Sequence, residues 1–168
     1  WREIVAVSCG DWHTLGLRAD GSATAVGVNA RGQCAVHGWR DLVQVAAGYL
    51  HSVGLRRDGR VVAVGAGAAI EPTNGSGLEQ WHGAVGLDTG SYHTVAVTDS
   101  GRVLALGDNT HGQCDVAAWK DVVAVAAGST HTLGLSADGT VFSTGNNVDG
   151  QCDVSSWAQI RTGASPRT

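Results

Sequence analysis

The chain of 168 residues is rich in glycine, with 25 Gly against 2 Pro, and its formal net charge is −4. Lys120 is its one lysine and no run of cations occurs, so the clustered positive charge of a nucleic-acid-binding surface is absent. No apolar run reaches the roughly 18 residues that a membrane span needs. We therefore expect neither nucleic acid nor a membrane as a partner. No signal segment opens the sequence, so the compartment stays open, with the cytoplasm slightly favoured.

The sequence repeats itself with a period of about 40 residues, which is typical of repeat architectures. Each unit opens on a tryptophan, and the fourth unit reads WKDVVAVAAGSTHTLGLSADGTVFSTGNNVDGQCDV from Trp119. We predict a single repeat domain, divided into units 1–38, 39–80, 81–118 and 119–156, with a degenerate fifth unit at 157–168.

Taken in chain order, the units predict the same short strands joined by the same turns. Unit one turns at Asp20-Gly21 and unit two at Asp58-Gly59, and an Asp-Gly pair between apolar runs is a strong hairpin signal. Unit two then departs from the pattern, because residues 66–80 lack the N-x-x-G-Q-C segment of the other units, and we expect a surface loop there. Unit three turns at Ser100-Gly101, a weaker version of the same signal.

Unit four defines the strands most clearly, as apolar runs at 122–127, 131–136 and 140–144. The first run is apolar at both odd and even positions, which indicates a strand buried on both faces, as in stacked sheets. We expect residues 151–154 to add a short fourth strand, and residues 157–168 to fray or to complete another sheet. Helical periodicity is absent, so the predicted fold class is all-β.

The recurrent pattern V-x-V-A-A-G-x-x-H-T-x-G-L-x-x-D-G-x-V…G-x-N-x-x-G-Q-C resembles the repeat of the regulator of chromosome condensation family, from the start of the chain to about Val154. The resemblance implies a β-propeller in which each repeat forms one blade. Many members carry about seven blades. The unit length here is more similar to the short-repeat bacterial members, which include secreted propellers that inhibit β-lactamases. We therefore expect a β-propeller-type repeat protein of about four blades of antiparallel strands, as a partial or an assembling ring.

Four blades leave a first and a last blade whose outer faces are apolar. We expect these faces to be covered either by missing repeats of a longer protein or by a second copy of the chain. The expected assembly is therefore a homo-oligomer or a pairing with the missing repeats.

Residues that recur at one position in every unit are assigned to structure. A histidine opens the second strand of each unit, where an imidazole can satisfy local backbone groups, and we favour this role over a metal site. The framework tryptophans are predicted to pack between blades rather than to bind sugars. The cysteines of the G-Q-C segments, and Cys9 in a strand, are interpreted as small buried hydrophobes. These residues are His13, His51, His93 and His131; Trp1, Trp39, Trp81, Trp119 and Trp157; and Cys34, Cys114 and Cys152.

Motifs of catalysis are absent from the sequence: no nucleophile elbow, P-loop or H-E-x-x-H occurs. The aspartates of the Asp-Gly pairs are assigned to turn chemistry. We expect no enzyme activity, no catalytic residue, no cofactor and no bound metal.

A two-residue window between the unvarying Gly and His of each unit differs from unit to unit. The three aromatic residues outside the framework and the strands, Trp12, Tyr49 and Tyr92, all fall in it. Strand alternation places these loops on one rim together with the N-x-x-G loops, and aromatics on loops of a stiff scaffold are typical of protein-binding surfaces. The predicted binding rim comprises Asp11, Trp12, Tyr49, Leu50, Ser91, Tyr92, Ser129 and Thr130, with Arg31 and His111 from the N-x-x-G loops.

The sequence thus predicts a non-enzymatic module that binds a protein partner through one rim. One alternative is a lectin-like propeller, in which sugars stack on the rim aromatics. A second is a purely architectural role, in which the repeats mediate self-assembly and the rim is idle. For the rim aromatics themselves, the structural alternative to binding is that one or two rings fold inward over the blade tops. Exchange-factor activity on a small GTPase is implied only as a family possibility.

Overall fold

Each repeat folds into a three-stranded antiparallel sheet whose strands are ordered as in the sequence. The computed structural model describes residues 2–66, 77–157 and 159–160. The four sheets, called blades 1 to 4, comprise β1 (Ile4–Cys9), β2 (His13–Arg18) and β3 (Ala23–Gly27); β4 (Leu42–Ala47), β5 (His51–Arg56) and β6 (Val61–Gly65); β7 (Ala84–Thr89), β8 (His93–Thr98) and β9 (Val103–Gly107); and β10 (Val122–Ala127), β11 (His131–Ser136) and β12 (Val141–Gly145). The predicted all-β class is confirmed.

The hairpins between second and third strands are closed by the predicted turns. The Ser22 N–H donates to Asp20 Oδ1 at 2.8 Å, and an equivalent bond closes the Asp138 turn. Gly21 adopts a φ of 78°, in the left-handed region that costs glycine little. These turns lie at one end of every blade, which we call the turn rim.

The blades pack face to face in chain order, and an apolar core lies between each consecutive pair. In the first core, Leu15 and Leu17 of blade 1 meet Val45 and Ala47 of blade 2. Ala46 points the opposite way, into the second core. The first strand of an interior blade therefore contributes side chains to a core on each face. The prediction of burial on both faces, made for the strand at 122–127, is wrong, because Val123 and Ala126 of β10 are exposed. We call the side of a blade that meets the following blade its front face, and the other side its back face.

Two framework tryptophans fill the joints between blades, as predicted. Trp39 belongs to the first core and Trp119 to the third, where its ring stacks on Phe142 with centroids 5.6 Å apart. The Trp39 ring also covers Gly54, since an added Cβ there would meet it at 3.0 Å. Trp157 follows the last blade and is exposed. Of the other two, Trp81 is half-buried against the second core and Trp1 lies outside the described residues.

Two expectations about local structure are wrong. Residues 151–154 form turns instead of a fourth strand, because the Cys152 N–H donates to Asn147 Oδ1 and the Val154 N–H to the Cys152 carbonyl. Residues 66–80 are not a surface loop throughout. A 3-10 turn (Leu78–Gln80) ends this segment, and its Leu78 is buried in the second core; residues 67–76 lie outside the described part of the chain.

The glycine that precedes each loop between first and second strands lets the backbones of neighbouring blades approach closely. A Cβ at Gly48 would meet the His51 imidazole and, at 2.7 Å, the carbonyl oxygen of Gly90 in blade 3. We expect Gly48→Ala to lower the free energy of unfolding by about 1–3 kcal/mol, the usual cost of overpacking. Gly38→Ala is the control, because an added Cβ there has nothing within 4 Å. Urea unfolding of both variants tests this, and equal stabilities would contradict it.

Candidate functional site

The loops between first and second strands lie at the rim opposite the turn rim, and the loops after the third strands adjoin them. The Val28 N–H donates to the Trp12 carbonyl at 2.9 Å, and the Asp108 N–H donates to the Tyr92 carbonyl at 2.9 Å. The structure therefore brings the two sets of loops together. We call this end of the molecule the aromatic rim.

A buried hydrogen bond between a histidine and a hydroxyl joins each blade to the next just beneath this rim, and in the joints of blades 1 with 2 and 3 with 4 it continues to a main-chain carbonyl. His13 Nε2 lies 2.8 Å from Ser52 Oγ, and the Ser52 hydroxyl donates to the Gln33 carbonyl at 2.7 Å. Because the hydroxyl proton is committed to that carbonyl, the imidazole is the donor to the hydroxyl oxygen, which requires the Nε2–H tautomer. His93 repeats this arrangement with Thr132 at 2.8 Å.

The structural role predicted for the histidines is confirmed at three of the four positions. His51 completes the set, with its Nε2 3.3 Å from Thr94 Oγ1. His131, in the last blade, is half-buried, and its ring makes no hydrogen bond with the described residues. Each of the three linked rings thus holds the beginning of its own rim loop against the neighbouring blade.

Burial keeps these rings neutral. It lowers the pKa of His51 to about 4, with the neighbouring His13 and His93 adding to the effect. Burial also lowers the pKa of His93 to about 4 and, to a smaller degree, the pKa of His13, where the Asp11 carboxylate opposes it. The Nε2–H tautomer that donates to the hydroxyl is a neutral imidazole, so burial and the hydrogen bond are consistent.

Three aromatic rings stand on the rim loops. Trp12 is 58% exposed and Tyr92 is 47% exposed, which is unusual for such large apolar groups. Tyr49 is half-buried and packs against Tyr92, with ring centroids 5.3 Å apart and planes tilted by 57°. The structure thus brings Tyr49 and Tyr92 together across blades 2 and 3, and neither exposed ring folds inward.

The remaining predicted rim residues divide between surface and support. The Ser129 hydroxyl donates to Ser91 Oγ at 3.0 Å, which links blades 3 and 4 at the surface. The main-chain N–H groups of Arg31 and His111 each donate to the amide oxygen of the Gln two residues on, at 2.9 Å, so these loops are internally braced. Exposed members are Asp11, Ser129, Arg31 and His111, and half-buried members are Leu50, Ser91 and Thr130.

An open cavity of about 380 Å³ occupies the space between the rim loops. Its wall includes Asp11, Ser91 and Ser129, and its floor is formed by the ends of the first strands, at Cys9 and Thr89. Sequence reasoning missed the floor, because the last residue of each first strand varies in type and no motif marks it. The four loops therefore surround one shared depression instead of forming separate sites.

Charge is distributed unequally between the two rims. Among described lysines and arginines, Arg31 is the one in the aromatic-rim loops, which also carry Asp11, Asp108, Asp115, Asp149 and Asp153. The others lie toward the turn rim, where carboxylates balance them: Arg2, Arg18, Arg40, Arg56, Arg57, Arg60, Arg102 and Lys120. The aromatic rim is therefore the negative end of the molecule.

The repeated geometry corresponds to a known family. The model of the regulator of chromosome condensation (RCC1) repeat matches residues 4–33, 42–68, 85–113 and 122–151, which together exceed half of the chain. The chain belongs to the RCC1 repeat family. In this RCC1-repeat chain, three of the matched segments run from a first strand to the N-x-x-G loop. No curated protein matches it by sequence.

Solved structures show the same fold at low sequence identity. Yeast RCC1 (Prp20), crystallised with Kap60, has a TM-score of 0.69 at 18% identity over 86% of this chain and 44% of its own. Human WBSCR16 has a TM-score of 0.70 at 21% identity over 86% and 49%. The CRINKLY WD40 ectodomain of the Arabidopsis thaliana receptor kinase ACR4 has a TM-score of 0.67 at 16% identity over 84% and 50%. The RCC1-repeat chain thus spans half or less of these three proteins. Its described part contains no helix that could cross a membrane.

The neutral buried histidines predict a stability that falls in acid. His51 and His93 have a folded pKa of about 4, against about 6.5 in the unfolded chain, so between these pH values the unfolded state binds protons that the folded state excludes. Histidine protonation should therefore leave the free energy of unfolding unchanged above pH 7. It should lower that free energy as the pH falls from about 6.5 to about 4, by on the order of 3 kcal/mol for each ring.

Urea unfolding at a series of pH values measures this dependence. His51→Gln should flatten the slope, because the residue that takes up a proton on unfolding has been removed. His37→Gln changes an exposed histidine and should leave the slope as in the wild type. An unfolding free energy that is independent of pH over this range would rule out the buried neutral rings.

Proposed function

We propose that the chain is a non-enzymatic protein-binding module whose binding surface is the aromatic rim. The observation that carries this proposal is the exposure of Trp12 and Tyr92 on loops whose ends are anchored by buried hydrogen bonds. Exposed aromatics on a rigid frame supply contact area at little entropic cost, and such residues dominate the binding energy of protein interfaces.

The charge of this rim indicates the kind of protein surface that fits it. The rim loops carry five aspartates against Arg31, so a partner with basic residues around an apolar patch is complementary. Lysine or arginine side chains of such a partner could also lie over the faces of Trp12 and Tyr92. The partner class that we propose is therefore a basic protein surface.

Proteins of the same fold provide support of a general kind. Prp20p from Saccharomyces cerevisiae is 18% identical to this chain and has a TM-score of 0.66. Its structure is described together with its binding properties to Gsp1p and histones. Yeast RCC1 (Prp20) is also seen bound to Kap60. Binding of proteins is thus compatible with a surface built from this repeat, while the partner of this chain depends on its own variable rim residues.

The hydroxyl–imidazole pairs favour binding over catalysis. A serine beside a histidine is the arrangement of a nucleophile and its base. Here, however, Ser52 is fully buried and donates its proton to a main-chain carbonyl, and its oxygen is held by His13 inside the blade joint. Ser52 is therefore a packing contact that no substrate can reach.

Rim substitutions test the proposal. Trp12→Ala and Tyr92→Ala should each weaken partner binding by about thirtyfold, since truncating an interface anchor commonly costs about 2 kcal/mol. Both should leave the melting temperature nearly unchanged, because both rings are largely exposed. Tyr49→Ala should weaken binding as well, but with some loss of stability, because this ring is half-buried against Tyr92.

The measurement is capture of proteins by immobilised wild-type and variant chains, followed by titration of a captured protein at low and high salt. Arg57→Ala on the turn rim is the matched control, and it should bind like the wild type. A basic partner should bind more weakly as salt rises. If Arg57→Ala loses capture and Trp12→Ala keeps it, the partner binds at the turn rim and the proposal is wrong. Binding on a glycan array, abolished by the same rim variants, would favour a lectin.

A further inference from the structure

The floor of the cavity between the rim loops is more polar in blade 3 than in the other blades. The first strand of blade 3 ends in Asp88-Thr89, whereas the equivalent residues are Ser8-Cys9 in blade 1 and two alanines in blades 2 and 4. Cys9 is exposed at this floor, contrary to the prediction of a buried residue, because it ends its strand beside the open cavity. Asp88 thus carries a charge at a position that is neutral in the other three units.

The charge of Asp88 exceeds what the joint between the blades requires. Asp88 Oδ2, on the front face of blade 3, accepts the Ala127 N–H at 2.9 Å and so connects the first strands of blades 3 and 4. Ser8 makes the same connection between blades 1 and 2 with a neutral hydroxyl, which accepts the Ala47 N–H at 3.0 Å. A serine would therefore serve this purpose in blade 3 without withdrawing a charge from water.

The Asp88 carboxylate has no compensating cation. It accepts the N–H groups of Ala127 and Thr89, and it forms no ion pair with any described residue. Burial raises the pKa of Asp88, and the two N–H groups offset that effect only in part. Because Ala127 lines the cavity, the carboxylate lies beside it, and the wall adds the carboxylate of Asp11 but no described lysine or arginine. A bound cation would therefore stabilise the ionised form of Asp88.

Thr89 supplies a second, independent observation. This residue is 8% exposed and lines the cavity, and its buried Oγ1 has no hydrogen-bond partner among the described residues. A buried hydroxyl without a partner is destabilising, and native structures generally avoid it. The fold does not require a hydroxyl here, because Ala47 and Ala127 hold the equivalent positions. An unpaired hydroxyl next to an uncompensated carboxylate indicates a site for a hydrogen-bond donor that carries a positive charge.

We propose that the cavity receives a lysine or arginine side chain of the protein partner. This inference rests on the proposed function, and it names the group of the basic partner that enters the rim. The ammonium or guanidinium group lies over the end of the first strand of blade 3 and neutralises Asp88, while Thr89 rotates about its Cα–Cβ bond to offer Oγ1 as an acceptor. The Ser129 hydroxyl donates its proton to Ser91, so its oxygen has lone pairs for a further N–H group.

Short synthetic peptides test this contact without the partner itself. Each peptide carries one arginine, lysine, glutamine or glutamate within the same glycine–serine sequence, and its binding to the full chain is followed by NMR through the main-chain amide signals. The arginine and lysine peptides should shift the signals of Thr89, Gly90 and Ser129, whereas the glutamine and glutamate peptides should not. Equal binding of the arginine and glutamine peptides, or shifts confined to Trp12 and Tyr92, overturns the proposal.

Two variants separate binding from folding. Asp88→Ser copies Ser8, so it keeps the connection to Ala127 and loses the charge. Thr89→Val removes the unpaired hydroxyl and keeps the shape of the side chain. Both should melt at or above the wild-type temperature, and each should bind the arginine peptide about tenfold more weakly. A purely structural role would change stability without changing binding. Asp149→Asn is the matched control, because it removes an exposed rim carboxylate outside the cavity and should change this binding by less than about twofold.

The same variants distinguish this contact from the proposed function. A protein partner that is lost in Trp12→Ala but bound equally by the wild type, Asp88→Ser and Thr89→Val overturns the cavity contact and leaves the proposed function standing. The reverse result is peptide binding that depends on Asp88 and Thr89, together with protein capture that Trp12→Ala and Tyr92→Ala leave unchanged. That result supports the cavity as a site for a cationic side chain and overturns the proposed function.

Discussion

The rest of the structure depends on the buried hydrogen-bonded chain that runs from a histidine of one blade, through a hydroxyl of the next, to a main-chain carbonyl. Because each of its groups is withdrawn from water, leaving any of them unpaired would cost more than the bond itself contributes. The imidazole must be neutral to take part, and burial lowers the pKa of His51 and His93 to about 4. The same ring lies over the glycine that begins its own loop, where a Cβ would strike it. One contact therefore joins the blades and fixes the rim.

This arrangement separates what must stay constant from what can vary. The glycine and the histidine hold the two ends of each rim loop, and the residues between them lie outside the apolar cores. In blades 1 to 3 these positions place Trp12, Tyr49 and Tyr92 on loops held by buried hydrogen bonds, so an interface formed there loses little conformational entropy. The frame also makes the loops of four blades share one depression, which allows a partner to contact several repeats at once.

The outer faces of blades 1 and 4 expose groups that the interior blades bury. An interior blade satisfies its polar groups and buries its apolar side chains on both sides, whereas blades 1 and 4 do so on one side only. The chain spans 44% to 50% of the solved propellers described above. Val7 is exposed and Thr14 and His131 are half-buried, although their equivalents in blades 2 and 3 are buried in the joints.

The sequence by itself determined the repeat, the three strands of each blade and the turns, because these depend on local chemistry: alternating apolar runs, and an Asp-Gly pair that adopts a left-handed turn. It also placed the variable rim residues, since a glycine and a histidine bracket them in every unit. What it could not decide are contacts between units. Nothing in the local pattern indicates that Tyr49 packs on Tyr92, that Leu78 returns to a core after an irregular segment, or that residues 151–154 bond to their own loop instead of to a strand. Histidines at the same repeat position also differ in burial and in hydrogen-bond partner, because both depend on the neighbouring blades. Among the described residues, His51 lies in a blade with a neighbour on each side, and His131 lies in a blade with a neighbour on one side.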